Sequence, residues 1–319
     1  MNYLGLTDPL PVNRPLTKQE TEQHLSPSKP VPTDFATDWM ATIKMNSTYL
    51  EFCDMYYDDK GFLTLVMLSF SAVALGIPLV AAFAVMQKWP DLSEQEHLKF
   101  IMAPVVLSVM AIPAFWLFFH ALSKEIFRYT HYPMRFNRKT RMAHVFRVDG
   151  TVMSESWDKL YFTVSPGQTG WLDIHGHRLA EDGVTVLETF ALPEYSTEIG
   201  PHLFRQWEFV RQYMEEGPEK LLDKVVHTVD IADKKESFWF GFWYMMRNNY
   251  QFIVAGWLMS PFTFACALGR WLAIKTSKIP VWPAEIEAEC QVDPNDPCIR
   301  DAQHPHPDRD RKRYGCRVE

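Results

Sequence analysis

The sequence predicts an α+β membrane protein. It has an N-terminal transmembrane helical hairpin, a small cytoplasmic domain with an antiparallel β-sheet and a helix, and a C-terminal helical segment that is membrane-embedded or interfacial. Three observations predict this: two long runs without charged residues, a basic cluster after the second run, and short β-branched or aromatic runs between turn residues in the middle of the chain. The overall composition, 47% hydrophobic and 22% charged, is that of an ordinary globular protein, so the uneven placement of apolar residues carries the prediction.

The N-terminal region divides into two predicted parts. Residues 1–35 are rich in Pro, Ser, Thr and charge, which predicts a flexible arm rather than a secretory signal. Residues 36–60 are predicted to form an amphipathic lead-in helix near the membrane surface or on the soluble domain, with core packing as an equal explanation. The aromatic and apolar residues with roughly helical spacing are Trp39, Ile43, Tyr49, Phe52 and Tyr56.

Two transmembrane helices are predicted within residues 61–123. The runs from Gly61 to Gln87 and from Phe100 to Ser123 contain no Asp, Glu, Lys or Arg. About 20 helical residues cross the hydrocarbon region of a bilayer, and both runs exceed that length. The predicted spans are about 62–86 and 100–123.

A basic cluster follows the second run, and it sets the predicted orientation. Its members, with Glu125 as the single acid, are Lys124, Arg128, Arg135, Arg138, Lys139 and Arg141. Lys and Arg accumulate on the cytoplasmic flanks of spanning helices. We therefore expect a multi-pass membrane protein, with the N-terminus and the central domain in the cytoplasm and the loop 88–99 outside.

The predicted cytoplasmic domain covers residues 124–236. Turn sequences at "NRKTR", "VDGT" and "AEDG" separate short strand-like runs, which predicts an antiparallel sheet of four to six strands over about 133–192. A helix over about 200–224 follows, with Leu203, Trp207, Val210 and Met214 on one apolar face and a break at Gly217-Pro218.

Residues 237–283 form a third hydrophobic, membrane-associated segment. Its uncharged centre, 248–269, has basic residues on both sides and contains Pro261. A third crossing, a re-entrant hairpin and an in-plane helix pair are the alternatives, and a hairpin places both basic flanks on one side. The polar, Pro-rich tail, 284–319, is predicted to be poorly ordered, and the spacing of its cysteines does not fit a zinc site.

One motif contains residue types that bind metal ions. Asp173, His175 and His177 form D-x-H-x-H on a predicted strand, where alternate residues share a face and two imidazoles with a carboxylate suit a metal ion. A solvent-facing polar strand edge is the commoner explanation, so we expect no metal, no cofactor and no catalytic residue. Common nucleotide-binding and hydrolase motifs are absent from the sequence, and the basic cluster beside a spanning segment fits lipid headgroups better than nucleic acid.

The order of these features resembles a family of uncharacterised Gram-negative membrane proteins found near type VI secretion effector genes. The similarity is carried by "YPMRFNRKTRMAHVFRVDGTVMSESWDKL", by P-x-W-P at Pro280 to Pro283 and by "DPNDP" at Asp293 to Pro297, within residues 60 to 300. The resemblance implies a polytopic immunity protein of the bacterial inner membrane that binds a membrane-depolarising or pore-forming effector without catalysis.

Membrane lipids, a cognate toxin and oligomers of the chain are the expected partners. Partner contacts are expected at Trp89 in the outer loop and at the small residues Ala72 and Gly76. For Ala72 and Gly76, packing between the protein's own two helices is the favoured explanation. The alternative function is a membrane-anchored adaptor that docks an effector or chaperone through its β-rich domain. A membrane enzyme centred on D-x-H-x-H is the third hypothesis.

Overall fold

The computed structural model describes residues 11–91, 93–166, 171–246 and 253–307. The chain divides into two compact units. The β unit comprises Met1–Asp59, Tyr129–Glu236 and Lys278–Glu319, and the helical unit comprises Lys60–Arg128 and Ser237–Ser277. Sheets and helices coexist, so the predicted mixed α+β class is confirmed.

The elements of the described residues follow in chain order. The strands are β1 (Arg14–Pro15), β2 (His24–Leu25), β3 (Thr42–Met45), β4 (Tyr49–Phe52), β5 (Met134–Asn137), β6 (Met142–Phe146), β7 (Val152–Ser156), β8 (Leu160–Pro166), β9 (Leu172–Leu179) and β10 (Thr185–Ser196). The helices are α1 (Lys18–Glu22), α2 (Tyr56–Asp59), α3 (Phe62–Lys88), α4 (Glu94–Leu122), α5 (Pro201–Glu215), α6 (Phe238–Met246), α7 (Ile253–Thr276) and α8 (Ala284–Glu289).

The β unit contains two five-stranded antiparallel sheets. Sheet I has the order β1-β10-β9-β8-β2, and sheet II has the order β3-β4-β5-β6-β7. The predicted strands over 133–192 are present as β5 to β10, but they divide between the two sheets instead of forming one. Strands from the N-terminal region complete each sheet, so no local pattern within 133–192 reveals this division.

An aromatic core joins the sheets to α5. Trp157, Phe162 and Trp207 lie with ring centroids 4.7–5.9 Å apart. The predicted apolar face of α5 is confirmed, because its four predicted residues are all buried. The helix ends at Glu215, earlier than predicted, because Gly217 has the left-handed φ of 103° and the following proline does not continue a helix.

The N-terminal region is more ordered than predicted. Residues 11–35 are not a loose arm, since β1, α1 and β2 join or cover sheet I. The predicted helix over 36–60 is wrong, because this segment forms the hairpin β3–β4 and only α2 is helical. The side chain of Asn46 accepts hydrogen bonds from the backbone N–H groups of Thr48 at 2.8 Å and Tyr49 at 2.9 Å, which stabilises the turn. Residues 1–10 of the predicted arm lie outside the described residues.

The prediction of a poorly ordered tail is wrong for residues 284–307. Helix α8 buries Ile286, and Cys290 is buried in the main core. The carboxylate of Asp296 accepts hydrogen bonds from the N–H and the hydroxyl of Ser47, both at 2.7 Å. These partners come from distant parts of the chain, so the polar composition of the tail does not predict its packing. Residues 308–319, with Cys316, lie outside the described residues.

Two helices of the helical unit are long and apolar. The stretch Tyr56–Lys88, which contains α3, and the stretch Phe100–Leu122, which lies within α4, have the length and composition required to cross a membrane. Helices α3 and α4 pack side by side, with Phe70 and Phe118 stacked at 5.3 Å. The carboxylate of Glu125 accepts hydrogen bonds from the N–H groups of Gly61 at 2.5 Å and Thr64 at 2.6 Å, and so satisfies donors at the start of α3.

The third hydrophobic segment contains two helices. Helices α6 and α7 pack against each other, with the rings of Phe238 and Phe264 at 5.2 Å. Helix α7 also approaches α3 closely at Gly269, where an added Cβ would lie 2.5 Å from the carbonyl oxygen of Gly61. The small residue therefore permits this crossing. A membrane-embedded hairpin over 237–283 stays a prediction.

Part of the basic cluster belongs to the β unit. Arg135 is buried in β5 and pairs with Glu51 at 2.8 Å. Arg141 pairs with two carboxylates of the same unit. These two guanidinium groups are neutralised within the fold, so they do not serve as charges on a membrane flank. The predicted orientation stays a prediction.

Candidate metal centre

The D-x-H-x-H motif lies on β9, at the centre of sheet I. Gly176, between the two histidines, faces the core, and an added Cβ there would lie 2.3 Å from the ring of Phe190. Alternate residues of a strand point to opposite faces, so Asp173, His175 and His177 share the other face. All three are at most 2% exposed. The prediction of a solvent-facing strand edge is therefore wrong.

Glu20 on α1 completes the group. It is 3% exposed, although it comes from the region predicted to be a loose arm. Thr17 and Glu20 form a capping box at the start of α1. The hydroxyl of Thr163 on β8 donates to the carbonyl oxygen of Glu20 at 2.9 Å, which fastens α1 to the sheet.

One ligand atom from each of Glu20, His175 and His177 lies within 4.8 Å of the other two. Among the residues that the structure describes, these side chains are the ones whose arrangement suits a metal ion. Two imidazoles and a carboxylate are a ligand set that zinc and iron(II) accept. The two histidines come from the strand motif seen in the sequence, whereas Glu20 joins them only through the fold.

Several polar atoms of this group lack hydrogen bonds within the described part of the chain. They are Asp173 Oδ1, His175 Nε2 and His177 Nε2. Asp173 Oδ1 lies 2.5 Å from His175 Nε2, and Glu20 Oε1 lies 3.4 Å from His177 Nε2, but neither pair has hydrogen-bond alignment. Buried polar atoms without partners are rare in folded proteins, so this group needs an explanation.

The electrostatic environment of Glu20 and His177 favours the protonation states that bind metals. Burial acts to raise the pKa of Glu20, but its interactions with Arg14, with His177 and with the N–H of Thr17 outweigh burial and hold that pKa well below its usual range. Burial lowers the pKa of His177. At neutral pH the cluster therefore offers an ionised carboxylate and a neutral imidazole, which are the forms that bind metals.

The sequence contained a signal for Glu20 that the composition of the arm obscured. Threonine followed three positions later by glutamate is the pattern of a capping box, and "TKQE" at Thr17 to Glu20 has it. That pattern predicts a helix start at α1, but it does not predict where α1 lies. The pairing of Glu20 with β9 depends on tertiary structure.

The predicted partner-binding residues lie elsewhere, in the helical unit. Trp89 stacks on His97 at 4.1 Å and lines an apolar groove of about 460 Å³ between α3 and α4, together with Met86 and Ile101. Ala72 is exposed, and an added Cβ at Gly76 would meet nothing within 4 Å. The favoured explanation for the small pair, packing between α3 and α4, is therefore wrong at Gly76.

Comparisons with known proteins give a family and no function. No curated protein and no solved structure matches the chain. The sequence profile of DUF6708, described as a family of unknown function, matches residues 111–294, which is more than half of the chain and includes most of the β unit and the D-x-H-x-H strand. The chain therefore belongs to the DUF6708 family of unknown function.

Proposed function

We propose that this protein is a non-catalytic binding protein of the bacterial inner membrane, which neutralises a membrane-targeting, pore-forming effector of type VI secretion. The observation that carries the membrane part of the proposal is the exposed apolar surface of α3 and α4. The immunity role rests on the family resemblance seen in the sequence and on the character of that surface.

The apolar surface of these helices differs from that of a core helix. In the most hydrophobic part of the stretch Tyr56–Lys88, 11% of the residues are buried. In that of Phe100–Leu122, none is buried. Leu79, Val80 and Ile112 are each more than two-thirds exposed. Soluble monomers rarely leave a continuous apolar patch of more than a few hundred Å² in water. Lipid or another apolar partner is the environment that suits this surface.

The helical unit also offers contacts for a partner helix. Trp89 sits at the edge of the apolar groove between α3 and α4. Gly76 lies on α3 with free space beside it. Small residues let the backbone of a second helix approach closely within a bilayer. A toxin that inserts a helix into the membrane is the partner that fits this surface.

A protection assay tests the proposal. A candidate pore-forming effector is delivered to the periplasm of a sensitive bacterial strain, and membrane potential is followed with and without this protein. Retained potential that depends on the protein would support neutralisation. Collapse with normal expression would contradict it for that effector, and would favour the adaptor alternative, in which the β unit docks an effector or chaperone.

A pair of variants locates the contact. Gly76→Leu leaves the fold intact, because no atom lies within 4 Å of its new Cβ, but it blocks close approach by a partner helix. We expect this variant to lose protection at equal expression. Val80→Leu is the control, since Val80 is 69% exposed on the same helix and the change adds little bulk. Equal protection by both variants would exclude Gly76 from the interface.

A further inference from the structure

We propose that Glu20, His175 and His177 bind one divalent transition-metal ion, with zinc as the first choice, and that this ion fastens α1 to sheet I. This site goes beyond the membrane-associated function, because it lies within the β unit and involves neither α3 nor α4. Its role is structural, as the following contacts indicate.

The distances fit a small tetrahedral ion. Zinc binds histidine nitrogen and carboxylate oxygen at about 2.0–2.1 Å, so two of its ligands are about 3.4 Å apart. The separation between His177 Nε2 and Glu20 Oε1 is 3.4 Å. The two atoms are not aligned as a direct hydrogen bond, and their separation is at the long end of the range for one. The separation matches that of two ligands on one ion, and the ligand atom of His175 lies within 4.8 Å of both.

The hydrogen bonds around the cluster leave ligand lone pairs free. The Nδ1 of His177 pairs with the hydroxyl of Thr189 at 2.8 Å, which fixes the ring and directs Nε2 toward Glu20. Glu20 binds the guanidinium of Arg14 at 2.6 and 2.8 Å and the N–H of Thr17 at 2.7 Å. Beside the Arg14 bond, Oε1 accepts only a long contact from the hydroxyl of Ser165 at 3.5 Å, so its second lone pair is the one that the ion would use.

Asp173 supports the cluster from beside His175. Its Oδ1 lies 2.5 Å from His175 Nε2, which is too close for two ligands of the same tetrahedral ion. A ligating histidine commonly donates its other ring N–H to a carboxylate, so Asp173 beside Nε2 leaves Nδ1 as the atom of His175 that would bind the ion. Asp173 is thus a positioning residue for His175, and the ion would also offset the negative charge that its buried carboxylate brings.

The burial of the cluster indicates a structural site. Glu20, His175 and His177 are at most 3% exposed, so substrate has no access to an ion between them. The three ligands join two regions far apart in sequence, α1 and β9. A bound ion therefore cross-links the N-terminal region to the central strand of sheet I, and its binding free energy adds to the stability of the β unit.

An ion-free explanation predicts a different measurement. In that explanation Glu20 is a buried carboxylate satisfied by Arg14 and Thr17, and the two histidines are packing residues. It requires no metal in the folded protein and no change in stability on adding or removing zinc. Metal content and melting temperature therefore distinguish the two explanations without any activity assay.

The first measurement uses the full chain, purified in detergent with an affinity tag that contains no histidine. We expect about one equivalent of zinc by elemental analysis, or after adding Zn²⁺ to chelator-treated protein, and a higher melting temperature in the metal-bound form. Cobalt substitution should give the visible absorption of a tetrahedral site. Folded wild-type protein that binds neither Zn²⁺ nor Co²⁺ in near-stoichiometric amount would overturn the proposal.

Conservative variants then assign the ligands. His177→Gln should weaken Zn²⁺ binding by more than about tenfold, since loss of even an outer-shell partner of a ligand costs about 10–100-fold. His144→Gln is the matched control, because His144 is equally buried but lies on sheet II, and it should bind Zn²⁺ like the wild type. Equal Zn²⁺ affinity in His177→Gln, His144→Gln and wild type, each folded by circular dichroism, would also overturn it.

Discussion

His144 shows how burial lowers the pKa of a single ionisable residue in this fold. It is 2% exposed on β6, and its Nδ1 pairs with the hydroxyl of Ser154 at 2.8 Å. Burial, followed by the positive charge of Arg135, lowers the pKa of His144 to about 4. The carboxylate of Glu289, 3.5 Å from Nε2, acts in the opposite direction but is half-exposed and weaker.

This lowered pKa predicts acid sensitivity of the β unit. Between the unfolded pKa of about 6.5 and the folded pKa of His144, the unfolded chain binds more protons than the folded chain. The free energy of unfolding therefore falls as pH falls, and His144 contributes at most about 1.4 kcal/mol per pH unit. Urea unfolding of the β unit from pH 7 to pH 4.5 measures the slope. His144→Gln should reduce it, whereas Val281→Ala, at an exposed position with no titratable group, should leave it unchanged. Identical slopes in the two variants would contradict the assignment.

At the scale of elements, α8 shows how a polar, Pro-rich segment becomes part of a core. The helix buries Ile286, while its exposed face carries Glu287, whose carboxylate pairs with Arg135 at 3.1 Å. Trp282, just before α8, places its ring 4.7 Å from the same guanidinium. The segment after residue 278 is thus held by both apolar and charged contacts to sheet II.

Truncating Ile286 tests this packing. Ile286→Ala should lower the free energy of unfolding of the β unit by about 2–5 kcal/mol, because it removes buried methyl groups from a packed site. Val281→Ala is the control at 79% exposure, and we expect a change within about 0.5 kcal/mol. Chemical unfolding followed by tryptophan fluorescence gives both values. Equal effects of the two changes would show that α8 contributes no core packing.

At the scale of the whole molecule, two units of different surface character are joined in one chain. The β unit buries an aromatic core and pairs its buried charges, as water-exposed domains do. The helical unit exposes large apolar side chains along α3 and α4. The surface of the β unit suits water, and the surface of the helical unit suits lipid. The membrane part of the proposed function rests on that difference.

Arginine substitution distinguishes a lipid environment from water. Val80→Arg with Val109→Arg places two charges at exposed positions near the middle of α3 and α4. In a bilayer each costs about 2.5–3.5 kcal/mol, so we expect loss of protein from the carbonate-washed membrane fraction. Phe127→Arg, an exposed position after α4, should stay in that fraction. Wild-type protein found in the soluble fraction would contradict membrane insertion.

The local patterns of the sequence were sufficient for elements whose signals lie within a few residues. The long uncharged runs predict α3 and α4, and the apolar spacing of residues 203–214 predicts one face of α5. Alternation along β9 predicts that Asp173, His175 and His177 share a face. Each signal depends on the helical or strand repeat and on nearby residues, so no knowledge of the fold is required.

The sequence by itself therefore determined the apolar helices, the strand-rich middle and the shared face of the D-x-H-x-H motif. Only the tertiary structure decided that this face is buried and that Glu20 joins it. The same is true of β1 to β4 and of α8, which complete sheets and core from the two ends of the chain. Such contacts join residues far apart in sequence, and their free energy comes from burial that no local pattern records.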